Sequence, residues 1–235
     1  MKNRNNEAVA HHPFCFIGTQ QAFAQNVGLS FSYFIPRNGE FSTPISPFSF
    51  RGLGVDLNRF ISLETGASLY RMSGLNVIDL PFESQSALTG PNFTLFIPAE
   101  LVFNIRGKGV QFDIKAGAFF FYAFDQRLNN GNLDKALRKY AGWDVVNSSY
   151  SFENNPGFGY QGGVELTIDV TKQWGISIET NYLMGKSKLP LTGSYSGGNI
   201  GGTIQTVAED FKDANVDFTG LEFSIGVFFN TGKRR

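Results

Sequence analysis

The stretch from residue 92 to 124 constrains the fold most, because apolar side chains recur there at every second position in two long runs. One parity is apolar from Phe93 to Ile105, and again from Val110 to Tyr122 after a turn at residues 106–109. A period of two places each run on one face of a β-strand. Both runs exceed the roughly 5–6 residues usual in soluble sheets and match the roughly 9–11 that cross a bilayer as a tilted strand. This stretch therefore predicts a transmembrane β-hairpin.

The rest of the chain repeats this pattern, and the lengths of its connections alternate. Connections after the first, third, fifth and seventh expected strands are long, and those after the second, fourth and sixth are short, so that all tight turns lie at one end of a closed barrel. We predict an all-β fold, an eight-stranded antiparallel up-and-down transmembrane β-barrel. Pro98 cannot donate to the hydrogen-bond ladder, so a β-bulge is expected there. The expected strands cover residues 27–35, 48–57, 61–70, 92–105, 110–124, 157–170, 176–184 and 219–229.

The two parities of the strands differ in bulk, which indicates the face that each presents. An eight-stranded barrel has an interior only wide enough for side chains to fill it. The apolar parity carries too many Phe, Leu, Ile and Val side chains for that space, whereas the other parity is rich in Gly and Ser. We therefore expect the apolar parity to face lipid. A soluble lipocalin-like carrier of an apolar ligand would need the inverse arrangement, and it is the alternative outside the membrane.

Residues 1–24 have several features of a signal peptide, and residues 25–235 would then form the barrel domain. Lys2 and Arg4 give a basic start, and Ala22-Phe23-Ala24 has the small-x-small pattern of a cleavage site. The apolar region between them is atypical because His11, His12 and Pro13 interrupt it. An N-terminus that is not a leader is therefore the alternative.

Charge and cysteine usage narrow the possible partners and chemistry. The chain has 20 basic and 20 acidic residues, which gives no reason to expect nucleic acid as a partner. Cys15 is the one cysteine and lies in the expected leader, so residues 25–235 would hold neither a disulfide nor a reactive thiol.

The whole pattern from Val27 to Phe229 resembles the small eight-stranded outer-membrane β-barrels of the OmpA and OmpX type. The final strand, Gly220 to Phe229, is similar to the aromatic-ended last strand of that family, although the chain continues to Arg235. The resemblance implies the outer membrane of a Gram-negative bacterium, with short turns in the periplasm and long extracellular loops. It also implies contact with outer-membrane lipid and lipopolysaccharide, and it carries no catalytic motif.

Charged side chains on the inward parity form the first candidate site. Buried carboxylates need partners, so these groups are expected to form a polar network inside the barrel. One interpretation is a structural core that plugs the lumen, and the other is a narrow path for cations or protons. The members of this barrel-interior polar network are Glu64, Glu100, Lys115, Glu165, Glu179 and Glu222.

The long connections supply the second candidate site. Residues 132–141 are expected to form a helix capped by Asn132 and closed by Gly142, with a basic face that could contact lipopolysaccharide phosphates or a partner. The alternative is a helix that only folds over the barrel mouth. The glycine-rich segment 193–202 is expected to be flexible, and the acidic spacing at 129–134 does not match a calcium-binding EF-hand. The possible loop contacts are Lys135, Arg138, Lys139 and Tyr195.

The sequence does not indicate an enzyme, cofactor or metal. Enzymes among outer-membrane barrels use an active-site histidine, and the two histidines here, His11 and His12, lie in the expected leader. We expect an integral outer-membrane barrel that presents loops for binding or envelope integrity, or that serves as an accessory subunit of a larger outer-membrane complex. A narrow porin-like conduit for ions or small solutes is the alternative within the membrane.

Overall fold

Eight long strands close into one antiparallel barrel in the computed structural model, which describes residues 26–38 and 45–230. The barrel strands follow the order β1, β2, β3, β5, β6, β8, β9 and β13, and β13 pairs with both β9 and β1 to close the ring. The elements in chain order are β1 (Asn26–Pro36), β2 (Ile45–Asp56), β3 (Ile61–Met72), β4 (Val77–Ile78), β5 (Asn92–Arg106), β6 (Val110–Phe124), α1 (Asn130–Ala141), β7 (Val145–Phe152), β8 (Gly157–Asp169), β9 (Trp174–Lys188), β10 (Leu191–Gly198), β11 (Gln205–Ala208), β12 (Asn215–Asp217) and β13 (Gly220–Asn230).

The predicted fold class, a closed eight-stranded antiparallel barrel, is confirmed. Residues 57–60, 107–109 and 170–173 make the short turns at one end of the barrel, and the long connections leave from the other end. The expected leader, residues 1–24, lies outside the described residues. None of the helices in the described ranges is long and apolar enough to cross a membrane.

The outer wall of the barrel is apolar, as the alternation predicts. Every second side chain of the barrel strands points away from the lumen, and most of these are large hydrophobic residues that remain exposed, such as Leu101, Ile178 and Ile225. An apolar surface of this extent is unfavourable against water and suits a hydrocarbon environment. The arrangement that a soluble carrier needs, with this face around a central cavity, is not the one observed.

The expected β-bulge at Pro98 is wrong. The register between β5 and β6 is continuous from Phe93 to Arg106, and β5 keeps one register with β3 on both sides of Pro98. The carbonyl of Pro98 accepts a hydrogen bond of 2.6 Å from Thr65 Oγ1. A side-chain donor of β3 therefore contacts β5 at the proline, and β5 passes Pro98 without an extra residue.

The irregularities lie in β2 instead. Its register with β3 shifts between Phe50 and Leu53, and Gly52 adopts a positive φ of 79° that a residue with a Cβ rarely tolerates. One extra residue at this point changes the parity of the strand. Arg51 therefore points into the barrel although it shares a parity with the outward-facing Leu53.

The long connections fold into a second layer over the barrel mouth, which we call the cap (residues 73–91, 125–156 and 189–219). Its three-stranded sheet has the order β11, β10 and β7, and α1 packs beside β7. The expected flexibility of segment 193–202 is wrong for most of its length, because residues 193–198 belong to β10. Residues buried in the cap core include Leu75, Leu88, Leu133, Leu137, Leu191 and Phe211.

The helix of the cap begins earlier than expected. Asn129, and not Asn132, is the N-cap residue, and its side chain accepts a hydrogen bond of 3.1 Å from the Asn132 backbone N–H. The helix ends as predicted at Gly142, which adopts a left-handed conformation with φ of 68°. The sequence did not identify Asn129 as the N-cap residue, because residues 129, 130 and 132 are all asparagine and asparagine is a favoured N-cap residue type.

A charged side chain on the lipid-facing wall should destabilise the barrel more, the closer it lies to the middle of the bilayer. We expect Leu101→Arg, near the middle of β5, to lower the free energy of unfolding by about 2–4 kcal/mol, and Ile105→Arg, near the turn end of the same face, by about 0–1 kcal/mol. Urea unfolding in phospholipid vesicles measures both. Equal effects of the two substitutions would show that this wall does not cross a bilayer.

Candidate functional site

Arg51 lies inside the barrel and joins β2 to two strands that are not its neighbours in the ring, β13 and β9. Its Nη2 donates to Glu222 Oε1 at 2.5 Å, and its Nη1 lies 3.7 Å from Glu179 Oε1. The Tyr70 hydroxyl donates to the same Glu222 oxygen. Asn181 Nδ2 donates to Glu222 at 2.8 Å and to Glu179 at 2.9 Å. Each carboxylate therefore receives more than one donor, which is what burial of a charge requires.

Lys115 forms the second half of the network. Its Nζ lies 2.5 Å from Glu165 Oε2 and 3.1 Å from Glu179 Oε1, so Glu179 lies between the two cations. Glu100 is not part of an ion pair within the described ranges, and it accepts a hydrogen bond of 2.5 Å from Gln161 Nε2. This hydrogen bond connects β5 to β8 past Gly117 of β6, which lies between them in the sheet.

The structure places all six predicted interior residues inside the barrel. Glu64 lies nearest the turn end and accepts a hydrogen bond of 2.9 Å from Ser62 Oγ. Sequence reasoning left four partners out of the predicted network. Arg51 stands on the apolar parity of its expected strand, and polar residues on the same parity as the acids were the available signal for the rest. The partners left out are Arg51, Tyr70, Gln161 and Asn181.

A small cavity of about 60 Å³ lies between the network and the turn end of the barrel. Glu64, Asp113 and Glu165 line it, and Gln111 donates to Asp113 at 2.7 Å. The Ser30 hydroxyl also lines the cavity and has no protein partner. A polar cavity of this size has room for a few water molecules.

An aromatic layer closes the lumen on the other side of the network. Phe218 arrives from the cap, stacks on Phe34 at a centroid distance of 4.7 Å and on Phe121 at 4.6 Å. Each ring of the layer is at least 98% buried. The sequence signal was present in the large residues on the inward parity, but it did not indicate that a residue outside the strands would complete the layer. The layer comprises Phe34, Tyr70, Phe96, Phe119, Phe121 and Phe218.

The predicted loop contacts separate into two groups in the structure. Lys135, Arg138 and Lys139 lie together on the exposed side of α1. Tyr195 does not, since it is only 5% exposed and packs against Trp143 at a centroid distance of 5.6 Å. The expectation that Tyr195 is a surface contact is therefore wrong. Its alternation within β10, which was not recognised as a strand, turns the ring toward the cap core.

Glu209 connects three tyrosines of the cap. Tyr140 and Tyr195 donate to its carboxylate at 3.3 and 3.4 Å, and Tyr150 donates to its backbone carbonyl at 3.0 Å. Burial and the nearby Glu209 carboxylate raise the pKa of Tyr150 above its ordinary value. The tyrosines thus remain neutral donors at physiological pH and hold the sheet of the cap to α1.

The described ranges contain no cluster of three or more His, Cys, Asp or Glu side chains arranged to hold a metal ion. The interior carboxylates instead accept hydrogen bonds from neighbouring side chains or lie beside the two cations. These contacts form a polar network inside a narrow lumen.

Comparison with known proteins finds solved structures with a similar fold, but no relative by sequence. No protein-family model matches the sequence, and no curated protein matches it. The crystal structure of the outer membrane protein OprG from Pseudomonas aeruginosa is similar over 87% of this chain and 94% of that chain, at 14% identity and a TM-score of 0.50. This likeness confirms the expected fold of the small eight-stranded outer-membrane β-barrels.

Two other solved structures match with lower scores. The solution structure of the E. coli Outer Membrane Protein W is 15% identical over 89% of this chain and 99% of that chain, with a TM-score of 0.45. The crystal structure of Ail, the attachment invasion locus protein of Yersinia pestis, is 13% identical over 87% of this chain and 94% of that chain, with a TM-score of 0.36.

Removal of the central guanidinium should leave buried carboxylates without a cation. We expect Arg51→Met to lower the free energy of unfolding by about 3–5 kcal/mol. The double variant Arg51→Met/Glu222→Gln should recover part of that loss, because Glu222 no longer brings a charge. Urea unfolding of the refolded protein measures each variant.

Arg106 provides the matched control for this test. It pairs with Asp56 at 3.7 Å on the exposed turn end. Arg106→Met should therefore change stability by at most about 1 kcal/mol. An Arg51→Met variant as stable as the native protein would mean that the interior network does not hold the barrel together.

Proposed function

We propose that this protein is an integral outer-membrane barrel with a non-enzymatic role, in which a closed barrel anchors a folded cap outside the cell. The observation that carries the proposal is the closure of the lumen by two successive barriers. The aromatic layer fills the barrel at the loop end, and the network around Arg51 and Lys115 crosses it below. A barrel filled in this way serves as an anchor rather than as a passage.

The outer-membrane location is supported by the wall and by the backbone. Strands that cross lipid must satisfy all their backbone groups within a closed ring, and this barrel has no open edge. The apolar wall supplies the surface that lipid tails would cover. The fold shared with OprG agrees with the same environment.

The non-enzymatic role is supported by the chemistry of the interior. No histidine occurs in the described residues, and the buried carboxylates already bind cations or amide donors. A catalytic acid or nucleophile needs access to substrate. The aromatic layer separates these groups from the extracellular side.

A role as an accessory subunit of a larger outer-membrane complex is supported by the tip of the cap. The hairpin between β10 and β11 presents Ile200 and Ile204, which are 86% and 77% exposed, beside the exposed Val145 at the start of β7. Exposed apolar residues grouped at one point favour a protein contact. The cap core holds this hairpin in a defined position away from the barrel.

Planar-bilayer recording tests the closed lumen. We expect the native protein to give no discrete conductance steps, with a general porin as the positive control. Glu100→Gln/Glu165→Gln should be equally silent, because the aromatic layer still fills the barrel. Discrete steps in the native protein that change on this double substitution would identify an ion conduit and overturn the proposal.

Affinity purification from detergent-solubilised membranes tests the partner. We expect proteins that co-purify with the native chain to be lost with Ile200→Ser/Ile204→Ser. Thr203→Ala, in the same exposed hairpin, is the control and should retain them. Retention by the double serine variant would show that the tip is not the contact, and the absence of any co-purifying protein would favour a protein that acts alone.

A further inference from the structure

The basic face of α1 forms no ion pair in the described part of the chain. Lys135, Arg138 and Lys139 stand at positions i, i+3 and i+4, so they lie on one face, and none has a carboxylate within ion-pair distance there. Like charges at this spacing destabilise a helix. Arg138 and Lys139 in the last turn compensate the helix dipole, but Lys135 in the middle of the helix does not.

These cations line a groove of about 380 Å³ between α1 and residues 83–86. Its other polar lining groups are hydroxyls and amides, including Ser84, Gln85 and Asn132, together with the carboxylate of Glu83. The half-buried Trp143 also lines it. The size falls within the range of small-molecule sites. The lining combines positive charge, hydrogen-bonding groups and one aromatic surface.

A second groove of about 310 Å³ lies on the other side of the segment 84–86 and shares those residues. It reaches down to Arg37 and Asn38. Arg37 directly follows the last residue of β1, and its backbone N–H donates to the Thr219 carbonyl at 2.7 Å, next to the start of β13. This second groove, which we call the lower groove, therefore begins at the rim of the barrel, where the lipid-facing wall ends.

Charge in the two grooves is strongly one-sided. The cations are Arg37, Lys135, Arg138 and Lys139, and the one carboxylate is that of Glu83. Arginine and lysine together suit phosphate, and hydroxyl and amide groups suit sugar hydroxyls. The indole of Trp143 offers an apolar surface for the carbon face of a sugar ring.

We propose that the paired grooves bind the phosphorylated sugar headgroup of a lipid in the same leaflet as the barrel. This inference rests on the proposed function, because only a membrane-embedded barrel brings Arg37 to the level of the headgroups. The lower groove meets the sugar nearest the membrane, and the basic face of α1 binds phosphate above it. The lipid would thereby cover the like charges of α1 and fix the cap against the membrane surface.

Fluorescence titration of the refolded protein tests this site. Replacement Trp174→Phe leaves Trp143 as the one tryptophan, since the chain has 2. The probes are purified lipopolysaccharide, the same lipopolysaccharide after chemical dephosphorylation, and glucosamine 6-phosphate. We expect saturable binding of intact lipopolysaccharide, at least tenfold weaker binding after dephosphorylation, and weaker binding at high salt.

Charge reversal on α1 should have the same effect as removal of the phosphates. Lys135→Glu/Arg138→Glu/Lys139→Glu should weaken binding of intact lipopolysaccharide at least tenfold. The matched control is Arg59→Glu/Lys108→Glu/Lys172→Glu, which makes the same change in net charge at exposed positions of the opposite barrel end. This control should bind within twofold of the native protein.

Each other outcome overturns the inference. Equal binding by the α1 variant and the native protein would exclude the groove as the site. Binding of glucosamine 6-phosphate as tight as that of lipopolysaccharide would show that a free sugar phosphate, rather than a lipid of the leaflet, is the ligand. Failure of the proposed function would be seen separately, as a chain that does not insert into vesicles and shows no heat-dependent shift on a detergent gel.

Discussion

The closed hydrogen-bond ladder is the constraint on which the rest of this structure depends. β13 pairs with β9 on one side and with β1 on the other, so no barrel strand presents an open edge. In hydrocarbon, an unpaired backbone group has no water to bind, and only helices and closed barrels avoid that penalty. Closure also fixes which face of the sheet each side chain occupies, because a shift of one residue in register would move every side chain of that strand to the other face. The apolar wall and the polar lumen are therefore two results of the same ladder.

A ring of eight strands leaves little room inside, and this explains why the lumen is filled rather than open. The groups that fill it are held by contacts between distant strands, such as Arg51 on β2 with Glu222 on β13, and Lys115 on β6 with Glu179 on β9. A buried ion pair contributes little net stability, because desolvation offsets attraction. We expect its larger effect to be on specificity, since a shifted register in any of these strands would leave a charge without its partner.

The sequence was sufficient for the parts of the fold that depend on period and length. The alternation from Phe93 to Ile105 and the spacing of the turns predict the strands, their number and the outward face. Features that depend on contacts between segments were not accessible in this way. The position of Arg51 depends on the bulge at Gly52, which reverses the parity of β2. Pro98 does not produce a bulge, because the pairing of β5 with β3 and with β6 keeps one register on both sides of it.

In the cap, too, features that depend on local sequence were predictable, and features that depend on contacts between distant segments were not. The helix and its end at Gly142 follow from local pattern, whereas the burial of Tyr195 depends on Trp143 and on the pairing of β10 with β7. Phe218 has the strongest non-local role, because it belongs to the cap connection and completes the aromatic layer inside the barrel. β12 also pairs with the last three residues of β9, where Asp217 lies opposite Lys186. The sheet of the barrel therefore continues into the cap. Closure of the lumen and the position of the cap are consequently set by the same residues. A barrel that opened would have to withdraw Phe218 and move the cap with it, so the closed lumen and the folded cap depend on each other.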